Sequence, residues 1–165
     1  AGFGDALLKS QKFVGNEDFL LHAGDCYFPE YKFLIDFMKY HQNSKNVSAS
    51  ILLKKMKNIK GYGIAQLEEH DGENIVVDVE EKPMKPKSNL AILPIYIFNS
   101  NIFKALKNTS QGYKSELQVT DAIMTLINKN EKILGFDYGD KEWFDIGSPD
   151  NYFNALTYSY KRIFG

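Results

Sequence analysis

The sequence predicts an α/β fold built on a mixed β-sheet. Short apolar runs alternate along the chain with segments of helical spacing, the pattern of helices layered on a sheet. One strong hairpin signal, Asp71-Gly72, lies between two strand-like runs and makes the sheet mixed. Composition permits a packed interior: of 165 residues, 44% are hydrophobic and 14% aromatic, with 12 Phe and 10 Tyr.

Each element has a local reason. Ala6, Leu7, Leu8 and Phe13, interleaved with Lys9, Gln11 and Lys12, fit a short amphipathic helix that Gly15-Asn16 stops. Residues 18–23 (DFLLHA) read as a buried strand ending at Gly24-Asp25-Cys26. Residues 30–41 place Phe33, Leu34, Phe37 and Met38 at helical spacing, and 48–56 read as a strand. Residues 62–68 and 75–81 form the hairpin around His70-Asp71-Gly72-Glu73. The two prolines of 82–86 (KPMKP) make that stretch a loop. Residues 91–99 are a strand in which Pro94 implies an edge position or a bulge. A short helix over 101–106 follows. The next starts either at Ser115, with Gln118 closing a capping box, or at Thr120 as N-cap. Residues 132–138 are a strand. Ser148-Pro149-Asp150 opens a last helix: N-cap, proline at the first position, then an acid at the positive dipole end. Phe33, Phe37, Tyr152, Phe153 and Leu156 are expected in the core. No repeat, low-complexity stretch or linker interrupts the chain, so 1–165 is read as a single domain.

Composition excludes several function classes. A formal charge of -1 offers no basic footprint for nucleic acid or an anionic membrane. The lone Cys26 excludes an internal disulfide and a thiolate zinc site. No apolar stretch reaches a membrane span, and a cytoplasmic protein is the expectation. His22, His41 and His70 have no metal spacing and are read as structural, with His22 in the buried strand.

Ligands of open α/β sheets bind beyond the carboxyl ends of strands. Asp25 stands there, after DFLLHA and a glycine; Asp145 stands in Trp143-Phe144-Asp145-Ile146-Gly147, another apolar run ending in glycine. Brought together, two carboxylates would hold Mg²⁺, which takes one or two carboxylates plus substrate phosphates. Alternatively each aspartate caps a turn. Glu81 could accept from sugar hydroxyls while Lys82 faces a phosphate, or both could be a solvated strand end. As adjacent strand residues they should point to opposite faces and not pair. Tyr62-Gly63 could let a ligand approach the backbone closely, or mark a bulge.

The order of segments is more specific than any one of them. GFGDALLKSQKFVGNEDFLLHAGD, GYGIAQLEE, EEKPMKPKSNLAILPIYIFNSNIF, SELQVTDAI and WFDIGSPDNYFNAL together resemble the sugar-1-phosphate nucleotidylyltransferases, of the glucose-1-phosphate thymidylyl- and uridylyltransferase type. The resemblance implies a Rossmann-like nucleotide-diphospho-sugar transferase fold. It implies transfer of a nucleotidyl group from dTTP or UTP to glucose 1-phosphate, with pyrophosphate released. It implies that Asp25 and Asp145 ligate Mg²⁺, that Lys82 clamps the sugar phosphate and that Glu81 accepts from sugar hydroxyls. Gly63, with Tyr62, would offer backbone to the sugar; Ile92 and Tyr96 would line its pocket, Trp143 would pack beside the second metal ligand, and Gly2 would lie against the nucleotide base. Two positions depart from the family pattern: Cys26 replaces a polar residue after Asp25, and Pro94 replaces a glycine before the Ile-Tyr strand. The family's Gly-rich signature loop with its Arg finds no match in these residues. The expectation is therefore a C-terminal portion, incomplete at the N-terminus, inactive alone, with an uncovered sheet side that favours a homo-oligomer. A non-catalytic sugar-phosphate-binding, regulatory or scaffold module of the same fold is the alternative.

Overall fold

The computed structural model describes residues 2–165. Chain order begins α1 (Phe3–Lys9), α2 (Gln11–Val14), β1 (Phe19–His22), β2 (Cys26–Tyr27), α3 (Phe33–Asn43) and β3 (Val47–Lys55). The hairpin β4 (Ile64–His70) and β5 (Glu73–Glu80) follows, then β6 (Leu90–Phe98), α4 (Asn101–Asn108) and α5 (Val119–Ile127). The chain closes with β7 (Lys132–Asp137), β8 (Phe144–Asp145) and α6 (Pro149–Phe164).

Six strands form a mixed sheet in the order β1-β6-β3-β7-β5-β4. β3 and β7 are parallel; the other pairings are antiparallel. The first residues of β4 also pair with β6, Ile64 with Ala91 and Ala65 with Leu90, so the pairings run in a circuit back to β6. Alternation along the strands divides the core in two. Ala49, Ile51 and Leu53 of β3 and Ile92, Tyr96 and Phe98 of β6 face the side covered by α1, α4 and α5. Leu52, Leu93, Ile95 and Ile97 face Phe33 and Phe37 of α3, with Phe28 and Tyr138. The hairpin turn carries positive φ at both Asp71 (51°) and Gly72 (79°), the primed turn that matches strand twist.

Several expectations change. DFLLHA is not a buried strand: β1 is the sheet's edge, Leu20 is exposed, and His22 is only half-buried. The first helix is broken at Ser10, whose hydroxyl bonds the Leu7 carbonyl, and Phe13 projects into solvent. α5 starts at neither proposed cap; Gln118 takes the N-cap position, and Thr120 lies inside the first turn. Phe33 and Phe37 are core, but Tyr152, Phe153 and Leu156 are exposed, because α6 buries only Ala155. Pro94 marks a bulge and not an edge. Tyr96 pairs with Ile51 and Leu93 with Leu52, so Pro94 and Ile95 are inserted opposite one β3 step. Two extra residues keep the period-2 facing of β6 intact, where one would have turned it inside out.

His41, expected at a helix end, ties that end to the sheet. Its ring is buried, with Nδ1 2.8 Å from Ser50 Oγ and Nε2 3.6 Å from Asp18. Burial pulls its pKa below the ordinary 6.5, and Asp18 opposes the shift only in part. The unfolded chain thus binds a proton more readily than the folded one. Stability from this site is present above pH 6.5 and is lost as pH falls from there toward the folded value. The melting temperature is expected to drop between pH 7.5 and pH 5, and to drop less in His41→Gln, as read by scanning calorimetry.

Candidate functional site

β1 ends at His22, and the chain crosses the sheet edge through Ala23-Gly24-Asp25. The bulge sets that path: the Pro94 carbonyl accepts from the Ala23 N–H at 3.1 Å. Beyond Asp25 the two-residue strand β2 pairs antiparallel with β8, setting Cys26 opposite Asp145 and Tyr27 opposite Phe144. The Ile146 N–H donates to the Asp25 carbonyl at 2.8 Å. The two aspartates, remote in sequence, therefore converge. A Cβ placed on Gly147 would lie 3.1 Å from Asp145 Oδ1 and 3.7 Å from Asp25 Oδ2. The Asp145 carboxylate also accepts from the Gly147 N–H at 3.0 Å.

Lys54, at the end of β3, braces the approach to β8. Its ammonium donates to the carbonyls of Gly139 and Lys141, both at 2.8 Å. Tyr138 is fixed by its amide to Leu53 (2.8 Å) and by its hydroxyl to the Glu142 carbonyl (2.8 Å). Trp143 then stacks on Phe28 with ring centres 5.9 Å apart and meets the Tyr62 ring edge-on at 5.8 Å.

These groups line a cavity of about 320 Å³. Of the ten residues singled out in the sequence, nine line it: Asp25, Tyr62, Gly63, Glu81, Lys82, Ile92, Tyr96, Trp143 and Asp145. Gly2 does not; it caps α1 with φ 127° against Glu116, and its neighbour Phe3 reaches the cavity. Gly63 is tightly enclosed: an added Cβ would meet Thr120 Oγ1 at 3.1 Å and Glu81 Oε2 at 3.2 Å. Its carbonyl accepts from Ile92 N–H at 2.8 Å.

Glu81 and Lys82 were expected on opposite faces, but they pair, with Lys82 Nζ 3.3 Å from Glu81 Oε1. β5 has ended at Glu80, and Lys82 takes a left-handed φ of 45°, which cancels the alternation. The Lys82 ammonium also lies 5.1 Å from the centre of the Tyr113 ring. Thr120 completes the cluster. Its hydroxyl donates to Glu81 Oε2 at 2.7 Å from the first turn of α5, beside the buried Gln118. Sequence reasoning weighed Thr120 only as a cap; the hydroxyl's partner is 39 residues away, with no local signal.

The cavity mixes desolvated walls with charge. Burial, and then the neighbouring Asp25 and Asp145, push the Cys26 thiol up to about 12, so it stays protonated. Burial and Asp145 likewise raise the Tyr62 phenol, and burial followed by Glu81 raises that of Tyr96. The charged lining is Asp25, Glu81 and Asp145 against Lys82. Among the described residues no group of three or more His, Cys, Asp or Glu is placed to hold a metal. Two facing carboxylates with no third such ligand suit a hard divalent ion that completes its shell with water and phosphate oxygens. No helix among the described residues is long and apolar enough to cross a membrane.

Comparison with known proteins assigns the chain to a family. A family model described as nucleotidyl transferase matches residues 1–161. The chain is 34% identical over 162 residues to the bifunctional protein GlmU of Methanocaldococcus jannaschii, covering 98% of this chain and 36% of that protein. It is 32% identical over 151 residues to the glucose-1-phosphate thymidylyltransferase of Streptomyces antibioticus, covering 89% of this chain and 40% of that protein. A solved UDP-glucose pyrophosphorylase complexed with UDP-glucose superposes with a TM-score of 0.83 at 26% identity, over 98% of this chain and 63% of that one. The chain thus spans less than two thirds of the length of these relatives. With its mixed sheet, its covering helices and a model match over nearly all its length, the chain belongs to the nucleotidyl transferase family.

Proposed function

We propose that the chain is the sugar-phosphate portion of a sugar-1-phosphate nucleotidylyltransferase that joins dTTP or UTP to glucose 1-phosphate. The convergence of Asp25 and Asp145 beside Lys82 is the observation that carries this reading. In the reaction an oxygen of the sugar phosphate bonds to the α-phosphorus of the nucleotide. The bond from that phosphorus to the bridging oxygen breaks, and pyrophosphate leaves with the electron pair. A phosphate monoester, with a second pKa of about 6, is already an anionic nucleophile near neutral pH, so no protein base is required. What the protein must supply is alignment and charge neutralisation.

Asp25 and Asp145 would hold Mg²⁺, which when bound would supply positive charge to offset that of the phosphates. Three carboxylates and one ammonium line the cavity, an acidic balance that would repel phosphates without an added cation. Lys82 is poised to take the sugar phosphate, leaving the Tyr113 ring. Glu81, its second oxygen held by Thr120, would accept from sugar hydroxyls. Gly63 gives the sugar a wall without a side chain, and Ile92, Tyr96 and Trp143 supply an apolar one. Triphosphate binding would fall to residues outside these 165, so the chain alone would not turn over.

Glucose 1-phosphate titrated into the chain with Mg²⁺ is expected to shift its ³¹P resonance with weak, roughly millimolar affinity. Lys82→Ala should abolish the shift, and Asp145→Asn should remove its Mg²⁺ dependence. An unshifted resonance, or one indifferent to Lys82→Ala, would defeat the assignment; pyrophosphate release by the chain alone would defeat the proposed division of labour.

Thr120→Val keeps shape but leaves Glu81 short of a donor, and should weaken sugar-phosphate binding about tenfold, whereas Thr120→Ser should retain it. In the longer enzyme, Asp145→Asn should cost at least about a hundredfold in kcat, and Cys26→Asn much less. Equal losses from the two would argue against Asp145 as a metal ligand.

A further inference from the structure

We propose that Lys54 is the positioning residue for Asp145: its ammonium fixes the turn over residues 138–142 and so sets where that carboxylate stands. The inference rests on the reading of Asp145 as a divalent-ion ligand given above. Lys54 occupies the last-but-one position of β3, a strand paired on both sides, with β6 and β7. Alternation puts it on the face of Leu52, which also packs Phe28, Tyr138 and Trp143. From there its ammonium serves a single turn. It donates to the carbonyls of Gly139 and Lys141, both at 2.8 Å, and lies 5.5 Å from the centre of the Tyr138 ring. Among the described residues it forms no ion pair. An ammonium has donors and no acceptor, so converging carbonyls and an aromatic face hold it where no carboxylate does.

The turn is shaped to present those carbonyls. Gly139 takes a left-handed φ of 71°, and its N–H donates to Asp137 Oδ1 at 2.8 Å. Only Glu142, Trp143 and Phe144 separate Lys141 from Asp145, so a carbonyl gripped at Lys141 limits how far Asp145 can swing. The two aspartates are held differently. Asp25 hangs from the sheet through Ala23, whose N–H donates to the Pro94 carbonyl. Both hydrogen bonds of the Lys54 ammonium go to the turn before β8, on the Asp145 side. Asp145 itself lies in a two-residue strand that would not hold itself in water. The clamp therefore acts on one carboxylate of the pair. Groups behind a metal ligand orient it, and losing one weakens the ion's affinity without removing the ligand. Lys54 carries no such signal in the sequence, because its partners are 85 and 87 residues away.

Trp143, the chain's single tryptophan, stands just before β8 and lines the cavity, so its fluorescence reports on the site. Mn²⁺, which takes the same oxygen ligands as Mg²⁺, is expected to quench it saturably. Lys54→Met keeps the stem and removes the charge; it should raise the half-saturating Mn²⁺ concentration about tenfold. Lys54→Arg, able to donate to both carbonyls, should stay within about threefold of the parent. Amide hydrogen exchange with no metal present gives a second reading. In Lys54→Met the Ile146 N–H should exchange about tenfold faster, while the Ala23 N–H on the Asp25 side keeps its parental rate. Unchanged quenching in Lys54→Met, an arginine variant as impaired as the methionine one, or equal acceleration at both amides would overturn the proposal. Mn²⁺ that fails to quench the parent, or quenching that survives Asp145→Asn, would overturn the metal reading instead; the exchange comparison would still decide whether Lys54 holds β8.

Discussion

One short backbone pairing organises the site. The two residues of β2 meet the two of β8, and that contact alone sets Asp25 beside Asp145. So small a ribbon would not hold itself in water. It is held from both ends: by the Pro94 carbonyl on Ala23, by the Asp25 carbonyl on Ile146, and by Lys54 gripping the loop that leads into β8. Phe28, Trp143 and Tyr138 pack beneath it as part of the α3-side core. The carboxylates thus rest on the rigid sheet through a few directional hydrogen bonds.

The bulge at Pro94 shows how a departure from regular structure serves that placement. A proline in a central strand forfeits a ladder hydrogen bond. Here two inserted residues carry the defect, and β6 recovers its facing on either side. The carbonyl of that same proline continues the β1 pairing one residue beyond β1 itself, toward Asp25. Local irregularity and the position of a functional side chain are therefore one feature.

Charge in the cavity is arranged with similar economy. Glu81 is shared between the Thr120 hydroxyl and the Lys82 ammonium, so its two oxygens are oriented by two different elements. Lys82 itself sits in a left-handed backbone conformation next to proline, the kind of local strain that persists where surrounding structure fixes it. The neutral, desolvated Cys26, Tyr62 and Tyr96 around these groups lower the local dielectric, which strengthens every charge interaction inside.

Periodicity and turn chemistry made much of the architecture legible. The Asp71-Gly72 hairpin, the Ser148-Pro149-Asp150 helix start and the alternation in β3 and β6 all follow from neighbours in sequence, because each rests on local dihedral or facing preferences. Asp25 and Asp145 were recognisable one at a time as acids after apolar runs; their meeting was implied only by the family resemblance, since no spacing rule encodes the β2–β8 pairing. The same limit explains the misses. Whether 18–23 is an edge or a buried strand depends on which strand covers it, and whether Tyr152, Phe153 and Leu156 are core depends on which way α6 turns. Thr120 belongs to the same class, because only the packing of α5 against the end of β5 decides which hydroxyl meets which carboxylate, whereas the Glu81–Lys82 contact turns on the left-handed backbone at Lys82.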